Sequence, residues 1–136
     1  MAEKNKRGGH AVLLLPGIYN ETLVLLAEAH DYFTRRSAHD QKDMDNRERT
    51  MFACEMSRVT IRLSCVMAWL MARKAAFEGK ITVQEANERY RLECRDTCMN
   101  QHIEAETLMP ARMNELLDKS LELYQRVARL DEFKGS

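Results

Sequence analysis

Between Phe52 and Phe77 the apolar residues Phe52, Met56, Val59, Leu63, Val66, Leu70 and Phe77 recur three, four or seven positions apart. That repeat fits the turn of an α-helix and not the two-residue alternation of a half-buried strand. A second apolar set, Ile61, Cys65, Ala68, Trp69, Ala72 and Ala76, lies further around the same helix. A helix that is apolar over more than one packing face either sits centrally in a bundle or meets a second subunit.

The punctuation around this helix sets its neighbours. Gly79 is a helix stop, because glycine adopts the left-handed conformation that closes a C-terminus. Thr82-Val-Gln-Glu85 has the spacing of a capping box, in which the two side chains satisfy backbone N–H groups at the next helix start. Upstream, the pattern predicts a helix from Ile18 to Arg36, with Tyr19, Leu23, Leu26, Ala29 (or His30) and Phe33 inward. Ser37 to Asn46 is nearly devoid of apolar residues and reads as a solvated connector or the frayed start of the long helix. After Thr82 a third helix carries Ala86, Tyr90, Cys94 and Cys98 and frays between residues 100 and 106. Pro110 suits the first turn of a last helix with Met113, Leu116, Leu117, Leu121, Tyr124, Val127, Ala128 and Leu130 as its apolar set.

The expected fold is all-α: an antiparallel three-helix bundle, or four helices if the last is split near Pro110. Residues 1–17, with Gly8-Gly9 and Pro16-Gly17, read as a flexible N-terminal arm, residues 18–132 as the bundle domain, and residues 133–136 as a C-terminal tail. At 136 residues one core is expected.

Charge and composition remove several function classes. Lys plus Arg equals Asp plus Glu at 21 each, so no net basic field recruits nucleic acid. Ala11 to Leu15 is too short for the apolar core of a signal peptide and ends at Pro16. Arg62, Arg73 and Lys74 interrupt the most apolar window, so no membrane span is expected. Four cysteines without an export signal point to reduced thiols in a cytoplasmic protein.

One stretch invites a metal reading. Cys94, Cys98 and His102 stand four residues apart. In a continuous helix the outer two are separated by roughly 12 Å along the axis, whereas zinc bonds are only about 2.0–2.3 Å long. One straight helix therefore offers at most two of the three to a single ion. Supplying the remainder would need Cys54, Cys65, His30 or His39. The competing expectation is a buried thiol stripe, with Cys94 the most buried and His102 near a boundary. Arg58, Arg62, Arg73 and Lys74 could likewise form a phosphate-binding face, but Glu55 and Glu78 are spaced to pair with them as ordinary helix-surface ion pairs. No nucleophile elbow, zinc-protease, phosphate-loop or dinucleotide motif is present, and no enzyme activity or cofactor is expected. The surplus apolar face of the long helix, around Ile61, Cys65, Ala68, Trp69 and Ala72, is the expected dimer or partner interface.

Three segments carry a family resemblance: Phe52 to Ala75 (FACEMSRVTIRLSCVMAWLMARKA), Glu78-Gly-Lys-Ile-Thr82, and Leu116 to Asp131 (LLDKSLELYQRVARLD). In this order they resemble the alphaproteobacterial regulator of CtrA degradation family, also catalogued as a domain of unknown function, over residues 18–132. The resemblance implies a dimeric three-helix bundle that acts as a non-enzymatic adaptor. It implies delivery of cell-cycle regulators such as CtrA to the ClpXP protease, with a priming response regulator and a cyclic di-GMP-responsive adaptor as further partners. The flexible C-terminal extension associated with family members is not expected here, and tail-dependent contacts are not counted among the expectations.

Overall fold

The structure, a computed structural model, describes residues 2–100 and 108–135. Six helices occur among them: α1 (Ala2–Arg35), α2 (Ser37–Asp40), α3 (Asn46–Phe77), α4 (Val83–Arg89), α5 (Arg95–Met99) and α6 (Ala111–Gly135). The all-helical expectation holds, and the expected count of three or four helices does not. The three long helices α1, α3 and α6 pack against one another, and the short ones fill the returns.

α3 begins and ends where local chemistry directs. The Asp45 carboxylate accepts from Glu48 N at 2.8 Å, capping the first turn. At the other end Gly79 takes φ 78°, Gly79 N donates to Ala76 O and Lys80 N donates to Ala75 O, the paired bonds that close a helix through a left-handed glycine. Thr82 Oγ1 then accepts from Glu85 N at 3.0 Å and starts α4. The Gly79 stop and the Thr82 cap are as the sequence predicts, whereas the Asp45 cap falls within the stretch expected as a connector or frayed helix start.

Contacts along the helices fix their directions. Tyr32 meets Phe52 at one end while Lys74 lies over the Tyr19 ring at the other, so α1 and α3 are antiparallel. Glu28 pairs with Lys119 and Glu21 with Arg126, so α1 and α6 are antiparallel too. It follows that α3 and α6 run parallel, as the bonds from Arg62 to Leu117 O and from Trp69 to Asp131 require. The segment carrying α4 and α5 returns the chain between them.

Three expectations need correction. α1 extends to Ala2 with Pro16 inside it, so residues 2–17, expected as an arm, are its N-terminal part. Proline removes one backbone bond from a helix without preventing residues on either side from being helical. The inward face of α1 is Ile18, Thr22, Leu25, Ala29 and Tyr32, leaving Leu23 exposed; the true stripe is displaced from the one expected because Thr22 turns inward and donates to Ile18 O at 2.7 Å. The single third helix is broken: α4 stops at Arg89, Cys94 sits at φ 60°, and α5 restarts at Arg95. In the last helix, Met113, Leu116, Leu117, Tyr124, Val127 and Ala128 are buried as the periodicity predicts. Each such side chain contributes about 1.5–3 kcal/mol through removal from water.

Candidate functional site

Seven α3 residues at alternating spacings of three and four form the buried seam of the helix: Phe52, Glu55, Val59, Arg62, Val66, Trp69 and Arg73, none more than 4% exposed. Leu63 and Leu70 flank it. Three charged side chains thus occupy core positions, where an unpartnered charge is very costly. Glu55 finds its partner in Arg58 one turn along α3, and those of Arg62 and Arg73 come from the return segment and from α6.

Asp131 of α6 is the first hub. Its Oδ1 accepts from Trp69 Nε1 at 3.0 Å and lies 3.7 Å from Arg73 Nη2, while its Oδ2 accepts from Arg91 Nε and Arg95 Nη2, both at 3.1 Å. Burial opposes ionisation of Asp131, but the bonds from Trp69 and Arg91 and the Arg91 charge outweigh it and hold the carboxyl below its usual value. Arg73 donates to Tyr90 O and lies 4.3 Å over the Trp69 ring. Burial pushes its guanidinium down to about 10, with Asp131 opposing the shift.

Arg62 is the second hub and is fully buried. Its Nε donates to Cys98 O at 2.8 Å, its Nη1 to Leu117 O and Ser120 Oγ at 3.0 and 3.2 Å, and its Nη2 to Asn100 O at 2.9 Å. Arg58 adds bonds to Thr97 O and Asn100 O while pairing with Glu55 at 3.2 Å. Two guanidinium groups therefore satisfy the carbonyls left open at the C-terminal end of α5. Burial and the neighbouring Arg58 push Arg62 down to about 10.

These positions decide the ion-pair and phosphate readings. Glu55 does pair with Arg58, but Arg62 and Arg73 face the interior: Arg62 is bound mainly by backbone carbonyls, and Arg73 by the carbonyls of Tyr90 and Trp69 and the charge of Asp131. Glu78 pairs with Lys80 rather than Lys74. Among the described residues no helix face assembles these cations for an external phosphate. The signal for burial was present in the sequence, because the charged residues fall on the three-and-four spacing of the apolar ones.

The thiols are placed differently from the expected stripe. Cys98 is fully buried and Cys94 exposed, the reverse of the expected order, because the left-handed turn at Cys94 carries it out of the helix. His102 lies outside the described residues. No group of three metal-ligating side chains occurs among the described residues. Cys65, half-buried on α3, interacts electrostatically with Cys94 and Cys98, and Cys98 with Tyr124 as well. Burial and these neighbours push the Cys65 thiol up to about 12.

Of the residues expected at an interface, Trp69 and Ala72 are buried within the chain, Ile61 and Cys65 are partly buried against its core, and Ala68 is exposed. Trp69 is therefore a core anchor rather than a free surface residue. What α3 does present outward is a strip without charge. From Thr50 to Met71 its exposed positions are Thr50, Ala53, Cys54, Ser57, Thr60, Ser64, Ala68 and Met71. Beyond it Phe77 is 74% exposed. The outer face of α3 between Thr50 and Met71 is thus uncharged and made mostly of small residues.

The class so defined is an all-helical protein, without strands among the described residues, whose charged core residues brace its own return segment. No helix among the described residues is long and apolar enough to cross a membrane. The chain belongs to the family described as "Protein of unknown function (DUF1465)", which matches over residues 11–134. Among solved structures it is similar to RcdA from Caulobacter crescentus CB15, with 28% identity, a TM-score of 0.70, and coverage of 89% of this chain and 90% of that one. No curated protein matches. The family resemblance drawn from the three sequence segments is borne out.

Proposed function

We propose that this protein is a non-enzymatic adaptor that brings a cell-cycle regulator such as CtrA to the ClpXP protease in the cytoplasm. The observation that carries this reading is the family match over nearly the whole chain, joined to a structural likeness to RcdA that covers most of both chains. Tethering raises the local concentration of substrate at the protease, so delivery needs surfaces and no chemistry of its own. The uncharged outer strip of α3 is suited to such a surface, since it can be covered without desolvating a charge.

In this reading the protein works as a homodimer, together with a primed response regulator and a cyclic di-GMP-responsive adaptor. The second copy seats on the α3 strip around Ala68, with Ile61 and Cys65 at its edge and Trp69 and Ala72 supporting it from within. The test is reconstituted proteolysis. CtrA turnover by ClpXP with the response regulator and the cyclic di-GMP-responsive adaptor is expected to quicken when this chain is added and to lose that gain with Ala68→Glu. Unchanged turnover on adding the folded wild-type chain would sink the reading.

A further inference from the structure

We propose that Cys65 and Cys94 are a modification site: oxidation by a hydroperoxide joins them in an intramolecular disulfide that staples the return segment to α3. The register of that segment carries the inference. Arg58 takes the carbonyls of Thr97 and Asn100, Arg62 that of Cys98, and Arg73 that of Tyr90. Residues 90–100 therefore run antiparallel to α3, and whatever lies between Arg62 and Arg73 faces whatever lies between Cys98 and Tyr90. Cys65 is about one turn beyond Arg62, and Cys94 falls in the facing interval. The two thiols interact electrostatically, in keeping with that register.

Their environments assign the order of events. Cys94 is exposed and meets the oxidant first, whereas Cys65 is half-buried beside it. Cys94 is also the only non-glycine residue at positive φ among the described residues, a conformation L-residues rarely adopt. That turn is what swings its side chain out of the α5 helix. Tyr124, donating to Glu93 O, and Arg62, donating to Cys98 O, hold the turn from both sides.

The chemistry balances without a further reactant. The Cys94 sulfur attacks the peroxide O–O bond, becomes a sulfenic acid and releases an alcohol, or water from hydrogen peroxide. The Cys65 sulfur then attacks the Cys94 sulfur, the S–O bond breaks, and the hydroxyl leaves as water with the Cys65 proton. Two thiols have lost two hydrogens and two electrons to the peroxide. Burial keeps Cys65 protonated at neutral pH, which slows this second step until the pH rises.

The experiment treats the full chain carrying Cys54→Ser with hydrogen peroxide, then maps non-reduced peptides and counts free thiols. The expected result is a peptide linking Cys65 to Cys94, loss of two thiols per chain, recovery of both with dithiothreitol, and none of this in Cys94→Ser. Circular dichroism confirms that Cys94→Ser is folded, as its exposure requires. A link from Cys98 to either thiol, a stable sulfinic acid at Cys94 with Cys65 free, or two unreacted thiols would each overturn the proposal.

Discussion

Trp69 donates its indole N–H to Asp131 across 3.0 Å, and the two are 2% and 1% exposed. The bond joins residues 62 positions apart, and the same carboxylate receives Arg73, Arg91 and Arg95. The α3 to α6 contact and the anchorage of the return segment thus share one acceptor.

Removing that acceptor should be among the most damaging single changes. Asp131→Ala leaves Arg73 buried without its carboxylate and is expected to cost about 3–5 kcal/mol in urea unfolding. The linkage sign follows from a folded-state pKa held below the ordinary 3.8. The stabilisation is fully present above that value and is lost as the pH falls through the folded pKa, because the unfolded chain binds the proton first. Asp131→Asn should flatten the acid limb of the stability profile below pH 3.8, and an unaltered acid limb would show that folding does not lower the pKa of this carboxyl.

Arg62→Lys should fail where charge alone suggests it would succeed. A lysine cannot span the carbonyls of Cys98, Leu117 and Asn100, which one planar guanidinium serves together. A loss of about 2–4 kcal/mol is expected from buried acceptors left open. Hydrogen exchange should show amides of residues 95–99 opening first, and uniform protection would contradict the clamp.

Trp69→Ala and Ala68→Glu separate folding from assembly. The first empties a core site and should destabilise the chain by about 3–5 kcal/mol. The second changes an exposed position and should leave the thermal midpoint within a few degrees while lowering the mass seen in sedimentation. Intact oligomers in a folded Ala68→Glu variant would move the partner surface away from the α3 strip.

The two local signals around the α3 to α4 turn should have modest and additive effects. Gly79→Ala meets no atom within 4 Å, so its cost is conformational, about 1–2 kcal/mol at φ 78°. Thr82→Ala removes the acceptor for Glu85 N and should cost about 1 kcal/mol. Chemical denaturation of the double variant tests whether the pair behaves independently.

The sequence by itself determined what depends on neighbours along the chain. The extent of α3, its Gly79 stop, the Thr82 cap and the buried face of α6 all follow from spacing and capping chemistry, and the segments around them identified the family. The tertiary structure decided what depends on partners far apart in sequence. Arg62 and Arg73 sit on the same three-and-four spacing as Phe52, Val59, Val66 and Trp69, yet charge marked them for the surface until Cys98, Leu117 and Asp131 arrived to receive them. Cys94 looked like the inner side of a continuous helix, and a single left-handed residue turned it outward and buried Cys98 instead. Local periodicity records which residues share a face, whereas the burial of a charge requires a partner that only the folded chain supplies.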